Sequence, residues 1–457
     1  MAINKPSIPK GTRDFLPSEM IRRNFIFDTI RKHFKRFAFL PIETPSMEKL
    51  STLTGKYGEE GDRLIFKILN SGDYLKKANK EALSEGNSTK LTSSISEKAL
   101  RYDLTVPFAR FVVQHQNEIQ FPFKRYQIQP VWRADRPQHG RYREFYQCDA
   151  DVVGSNSLRY DVELVSLVDE VMSDLGLLDY TIKVNNRKIL AGLAEVMGIS
   201  DQLTDYTVAI DKLDKIGKEG VLKELSAKGM SEAVLSKTKD LFELKEEAHT
   251  LELLEKWFSN SEIGKKGLEE IRFLLNGSST VDLRTAKVKW DITLARGLNY
   301  YTGSIYEVVS NEVEIGSICG GGRYDDLTGI FGLKDVSGIG ISFGAERIYD
   351  VLMKLDRFPE SATEGLQLLF VNFGEEEAAY CEKLLRQVRR AGINAELYPE
   401  STKMQKQMKF ANANAVSWVA MIGENEMNNN MIRLKNMNSG EQEDVSFEAL
   451  ISRIKGQ

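Results

Sequence analysis

FKRYQIQPVWRAD (123–135) and RYREFYQCDADVV (141–153) are two extended runs separated by RPQHG (136–140). Aromatic and β-branched residues on both sides of a Pro- and Gly-containing link predict a long antiparallel hairpin with an Arg-rich loop. Alternate residues of a strand share a face. On the second run one face is Arg141, Arg143, Phe145, Gln147, Asp149 and Asp151. The other is Tyr142, Glu144, Tyr146, Cys148, Ala150 and Val152, more apolar and suited to a core. A row of Gln147, Asp149 and Asp151 on a central strand is costly unless something pairs with it. A polar ligand would do so, and a solvated edge face would remove the cost; the alternation leaves both open.

Toward the N-terminus, residues 71–98 are polar, Ser-rich and weakly patterned, a surface insertion. Pro41 and Pro45 bracket a short extended segment. Before it, Ser18 is placed to cap a helix with apolar Ile21, Phe25, Ile30, Phe34 and Phe37, leaving Arg22, Arg23, Lys32 and Arg36 to solvent. Toward the C-terminus, residues 157–175 read as a helix with Ser157 as cap and Gly176 past its end. Short charge-rich helical segments fill 186–280. Strand chemistry returns at 287–309 and 336–343, followed by a helix, AERIYDVLMKL. After a linker near 358–364, strands alternate with helices in a compact βαβ pattern.

The length of 457 residues suggests about three domains. With 42% hydrophobic and 28% charged residues, wholesale disorder and fibrous repeats are excluded. No uncharged apolar run reaches the roughly 18 residues a membrane span needs, so no membrane association is expected. MAINKPSIPKGTRDF has no apolar core segment and does not read as a secretory signal. Three cysteines without CxxC or CxxH indicate neither a disulfide framework nor a cysteine zinc site, and a cytoplasmic setting fits best.

There is no P-loop, no GxGxxG after a strand and no HExxH. His33, His115, His139 and His249 are scattered and form no metal cluster in the sequence. The cations of interest are Arg133, Arg136, Arg141, Arg296 and Arg347. Guanidinium groups bind phosphate bidentately and keep their charge, so convergence would make a phosphate site. Each taken singly reads as a surface ion-pair residue. Arg347 falls at the start of a helix, where backbone N–H groups also favour anions. Gly338, Gly340 and Gly344 on the preceding strand leave room for a flat ring. ARGLNYYTG (295–303) and CGGGRYDDL (319–327) read in isolation as a turn plus core tyrosines.

Taken together these segments resemble one family. WRADRPQHGRYREFYQCDAD is similar to the motif 2 hairpin of class II aminoacyl-tRNA synthetases, FLPIETPSME (39–48) to motif 1 and GIGISFGAERI (338–348) to motif 3. ARGLNYYTG and ICGGGRYDDL resemble the two peptides that mark histidyl-tRNA synthetases. GTRDFLP (11–17) and KQMKFANANAVSWVAMIGENE (406–426) carry the likeness to both ends of the chain. The resemblance implies an α+β catalytic domain on an antiparallel sheet, formed by 1–190 and 283–357. It implies a helical insertion at 191–282 and an anticodon-binding-like α/β domain at 365–457.

The implied function is a histidine–tRNA ligase of the cytoplasm. It would activate L-histidine with ATP and Mg²⁺, transfer it to tRNA(His), and work as a homodimer. By resemblance, Arg133 and Arg296 are catalytic and flank the α-phosphate; Arg133 also meets the histidine carboxylate, and both count among the histidine-binding residues. Asp103, Thr105 and Gln147 receive the α-ammonium. Asp151 and Tyr301 bind the imidazole, with Tyr300 close by. Arg133, Asp135, Arg141 and Arg347 serve ATP, Gln138 lies near the tRNA acceptor end, and no protein-only metal site is implied. Asp135 is one methylene shorter than the usual motif 2 glutamate, and Asn299 replaces a usual aspartate beside Arg296. The alternative is a non-catalytic, histidine-sensing paralogue such as the regulatory subunit of ATP phosphoribosyltransferase.

Net charge is −4, which speaks mildly against a nucleic-acid partner. Sorted by segment it reads differently. Residues 1–40 hold nine basic and three acidic residues, 121–147 six and two, and 381–435 nine and five. A basic track along one side is all that phosphate contacts require.

Overall fold

The computed structural model describes residues 6–138, 140–244, 247–295, 300–359, 362 and 365–456. The chain divides into two compact units, Met1–Asp14 with Ile26–Arg357, and Phe15–Phe25 with Phe358–Gln457.

In the first unit the strands are β1 (Leu40–Pro41), β2 (Met47–Lys49), β3 (Lys67–Ile68), β4 (Lys98–Leu100), β5 (Phe123–Trp132), β6 (Glu144–Val153), β7 (Tyr180–Asn186), β8 (Lys287–Trp290), β9 (Ser304–Ser310), β10 (Cys319–Tyr324) and β11 (Gly338–Gly344). Eight of them make one sheet in the order β1-β5-β6-β11-β10-β9-β7-β8. The six central strands pair antiparallel, and β1 and β8 add parallel edges. β5 and β6 are the expected hairpin, paired from Phe123 with Val153 to Trp132 with Glu144. β6 lies between β5 and β11, so its polar face is not a solvated edge, and Asp149 and Asp151 are buried. β2, β4 and β3 form a separate small sheet.

The helix Arg159–Asp174 follows β6 where expected. Its cap position is Leu158 and not the expected Ser157, whose hydroxyl lies one residue earlier and accepts from Arg159 N at 3.3 Å, while Gly176 takes φ +78° beyond the last turn. Among the described residues, six α-helices run between β7 and β8, from Arg187–Met197 to Glu262–Thr280, as the charge-rich texture predicted. They gather Tyr206, Val221, Leu225 and Val234 into a core of their own.

Three further local expectations are corrected. The first helix is Pro17–Arg36, so Ser18 lies in its first turn and does not cap it. Proline's fixed φ suits the first helical position, and the Glu19 carboxylate accepts from Leu16 N instead. Arg23 is buried and stacks on Phe15 rather than facing solvent. Residues 71–98 contain two short helices, Lys80–Ser84 and Ser88–Ile95, because Asn79 and Asn87 cap them through their side chains. That segment stays largely exposed, as a surface insertion should.

The second unit holds β12 (Leu368–Phe370), β13 (Ala395–Leu397), β14 (Trp418–Met421), β15 (Ile432–Asn436) and β16 (Gln442–Val445), ordered β13-β12-β14-β15-β16. The first three are parallel and joined by the helices Glu375–Arg390 and Met404–Ala413, the expected βαβ pattern. β14, β15 and β16 extend it antiparallel, and Phe447–Lys455 closes the unit. Phe370, Cys381, Val388, Ala420 and Leu434 are fully buried in its core. Among the described residues no helix is long and apolar enough to cross a membrane. None of the three cysteines is in a disulfide, and all are buried.

Candidate active site

Strand register builds the site. Residues directly opposite one another share a face of the sheet. Gln129, Gln147 and Gly344 form one such row across β5, β6 and β11. Gln127, Asp149 and Ser342 form the next, and Arg125, Asp151 and Gly340 the third. β10 continues the last two rows with Gly320 and Gly322. Polar side chains therefore stand on β5 and β6, and a glycine floor lies beside them on β11 and β10.

That floor is used by the protein itself. A Cβ at Gly340 would come 2.0 Å from Asp151 Oδ1, and one at Gly322 would come 2.7 Å from the Tyr301 ring. A Cβ at Gly338 would meet the Tyr324 ring at 2.2 Å. The expected room for a ligand ring over Gly338, Gly340 and Gly344 is thus corrected: Gly338 and Gly340 admit Tyr324 and Asp151. Gly344 alone of the three lines the large cavity.

This cavity, about 1000 Å³ of open space, is lined by Asp103, Thr105, Arg133, Asp135, Arg141, Gln147, Tyr300, Tyr301 and Arg347, among others. Nine of the site residues singled out from the sequence thus meet in one place. Asp151 is not among them. It lines a smaller adjoining space of about 230 Å³ with Asp149, Tyr324, Gly340 and Ser342, which shares Thr105, Tyr300 and Tyr301 with the larger one. Gln138 and Arg136 line neither, and both are exposed. Gln138 pairs backbone to backbone with Arg141 at the hairpin tip. Arg296, Asn299 and His139 lie outside the described residues.

Each cation is held differently. Arg133 donates Nε to Tyr102 O at 3.1 Å and stacks between the rings of Tyr102 and Phe145. Arg141 reaches across the hairpin to Asp135 Oδ2 at 3.3 Å and is half exposed. Arg347 is the third residue of the helix Ala345–Lys354 and donates to Gly140 O and Ser317 O at 3.1 and 2.7 Å. These anchors fix three guanidinium groups around one space.

The acids sit deeper. Asp103 Oδ1 accepts from Tyr57 Oη and Val106 N, at 2.9 and 3.1 Å, while Oδ2 is buried with no hydrogen-bond partner among the described residues. Burial holds the Asp103 carboxyl above the usual range. Asp151 pairs with Arg125 Nη2 at 2.8 Å and accepts from the Tyr324 hydroxyl. Burial raises it too. Asp149 is pushed up to about 7, by burial first and by the neighbouring Asp151, against the pull of Arg125. Arg125 itself is fully buried and stacks on Phe108 at 4.1 Å.

Arg125, Ser342, Tyr57 and Tyr324 were not singled out from the sequence. Arg125, Gln127 and Gln129 repeat the polar alternation of β6 on the facing strand, a signal that was there to read. Ser342 and Tyr57 carry no such signal, since only non-local pairing brings them to the site. Among the described residues one group has metal-ligand spacing, His33, Glu170 and Asp174. It is engaged by Lys32 and Arg284 and lies away from both spaces.

Comparison with known proteins agrees with this architecture. The model described as histidyl-tRNA synthetase matches residues 69–348, and that described as anticodon binding domain matches 367–457. A histidine–tRNA ligase of Christiangramia forsetii is 62% identical over 453 residues, covering 99% of each chain. The crystal structure of histidyl-tRNA synthetase from a Nostoc species superposes with a TM-score of 0.84 at 31% identity, over 99% of each chain. A Bacillus halodurans structure titled as an ATP phosphoribosyltransferase regulatory subunit/histidyl-tRNA synthetase matches at TM-score 0.71 and 21% identity, over 90% of this chain and 98% of its own, a likeness of fold alone. With a family model over more than half its length and a full-length relative at that identity, the chain belongs to the histidyl-tRNA synthetase family.

Proposed function

We propose that the paired spaces over β6, β10 and β11 activate L-histidine with ATP, and that the chain then passes histidine to the 3′ end of tRNA(His). The observation that carries this is the meeting of three anchored arginines with a buried acidic recess in one connected site. The first step is attack of the histidine carboxylate on the α-phosphorus, with pyrophosphate leaving. Two anions must be brought together, so positioning and charge cancellation matter more than a general base. Arg133, set between two rings, suits the α-phosphate and the amino-acid carboxylate. Arg347 and Arg141, with Asp135 as partner of the latter, suit the ATP tail and adenine region. Arg296, on sequence resemblance, takes the opposite side of the α-phosphate.

The acidic side suits the amino acid. Asp103, Thr105 and Gln147 would receive the α-ammonium. Asp151 and Tyr301 would read the imidazole, with Tyr300 packed edge-on against Tyr301 at 4.9 Å. Mg²⁺ would arrive with the triphosphate. The cavity offers Glu346 at its nucleotide end, a carboxylate that already accepts from Tyr146 N at 3.2 Å. One such carboxylate with phosphates and water is an ordinary magnesium environment.

Gln138, exposed at the hairpin tip, suits the acceptor end of the tRNA, and the domain at 365–457 suits its anticodon. Exposed Leu40 and Met47, in and beside motif 1 strands, support a homodimer. Buried thiols and the lack of disulfides support a cytoplasmic setting. Transfer of labelled histidine to tRNA(His) in the presence of ATP tests the reading. A chain that binds histidine but neither charges tRNA nor exchanges pyrophosphate would be the sensor instead.

A further inference from the structure

Asp103 stands just before the helix Thr105–Gln114 and lines the large cavity. Its Oδ1 already has two donors. One is local: Val106 N at 3.1 Å, a first-turn N–H that the helix itself leaves without an acceptor. The other is the Tyr57 hydroxyl at 2.9 Å, from 46 residues away in the chain. Oδ2 is buried with no hydrogen-bond partner among the described residues.

The two oxygens of a carboxylate are equivalent acceptors. With Val106 N alone, the group could turn and offer that donor either one. A second donor from another direction, on the same oxygen, fixes its plane. Tyr57 precedes the helix Gly58–Leu64, is buried, and lines neither space. Its ring packs on Tyr102 with centroids 4.6 Å apart, and the Arg133 guanidinium lies over the same Tyr102 ring. A phenol has one proton to give, and a buried phenol needs an acceptor for it. Asp103 Oδ1 is that acceptor, so the packing of the Tyr57 ring decides which oxygen is occupied. Burial raises the Asp103 carboxyl, and the bonds from Val106 and Tyr57 counter that rise. The same hydroxyl thus favours a carboxylate and leaves Oδ2 as its open acceptor.

We infer that Tyr57 is a positioning residue: it holds Asp103 Oδ1 so that Oδ2 receives the α-ammonium of histidine. This rests on the proposed histidine site. The hydroxyl bonds no ATP-facing residue, so its loss acts on the ammonium alone.

The test compares the full-length protein with its Tyr57→Phe variant, which keeps the ring against Tyr102 and removes only the hydroxyl. Two probes inhibit histidine-dependent pyrophosphate exchange: histidinol, which has the ammonium and no carboxylate, and imidazolepropionate, which has the carboxylate and no ammonium. Tyr57→Phe should weaken histidinol and raise the KM for histidine on the order of tenfold. Inhibition by imidazolepropionate and the KM for ATP should not move. Unchanged histidinol inhibition would overturn the proposal. Equal weakening of both probes would also overturn it, since a merely structural role makes no distinction between them. If Tyr57→Phe does not fold by circular dichroism, a ring-fluorinated tyrosine at position 57 decides. That more acidic phenol should tighten histidinol, and unchanged or weaker inhibition would overturn the proposal. Absence of histidine-dependent exchange in the unaltered protein would overturn the histidine site itself, a different outcome.

Discussion

Asp149 and Asp151 are two buried carboxylates served by one buried guanidinium, Arg125. Removing that cation would leave both acids uncompensated. Arg125→Met should therefore cost about 3–5 kcal/mol of stability, read from urea denaturation; a loss under about 1 kcal/mol would mean the acids are neutral without it. Asp149 also makes stability depend on pH. Its folded-state pKa of about 7 lies above the ordinary aspartate value, so the folded state holds its proton more tightly than the unfolded one. That contribution is fully present below the unfolded value and disappears as pH rises through about 7. Asp149→Asn removes the ionisation and should raise Tm more at pH 8 than at pH 5. Equal shifts at both would place the charge elsewhere.

At the scale of elements, β10 and β11 are a floor made thin by glycine. Asp151 lies over Gly340 and the Tyr301 ring over Gly322 because neither has a Cβ. Gly340→Ala would force Asp151 aside and should raise the KM for histidine at least tenfold while sparing ATP binding, measured by exchange kinetics; equal effects on both substrates would argue for a general collapse of the strand. The hairpin, the helix after β6 and the βαβ pattern were legible because each rests on local periodicity and turn chemistry. Two capped helices within 71–98 were missed because short helices depend on Asn79 and Asn87 and lack an apolar stripe. The gathering of Asp103, Arg133, Gln147 and Arg347 was not legible from spacing. Pairing β6 with β11, strands separated by nearly two hundred residues, brings Gln147 and Arg347 together, and the Arg133 bond to Tyr102 O brings in Asp103. Family resemblance named those residues; register explains why they meet.

For the whole molecule, a net charge of −4 hides local basic stretches. Lys403, Lys406 and Lys409 are exposed on and beside the helix Met404–Ala413 of the second unit. Reversing all three to Glu should raise the KM for tRNA at least tenfold and weaken its salt dependence. Pyrophosphate exchange, which involves no tRNA, is the control; a parallel loss of exchange would show that the changes reach the first unit. The central claim is that the recess over β6 reads histidine and the arginines around it drive its activation. ATP–pyrophosphate exchange with each amino acid in turn tests it most directly. Histidine should support exchange by a factor on the order of 10⁴ over any other amino acid, because the wrong side chain leaves buried polar groups unpaired. Comparable exchange with another amino acid, or none with histidine, would contradict it.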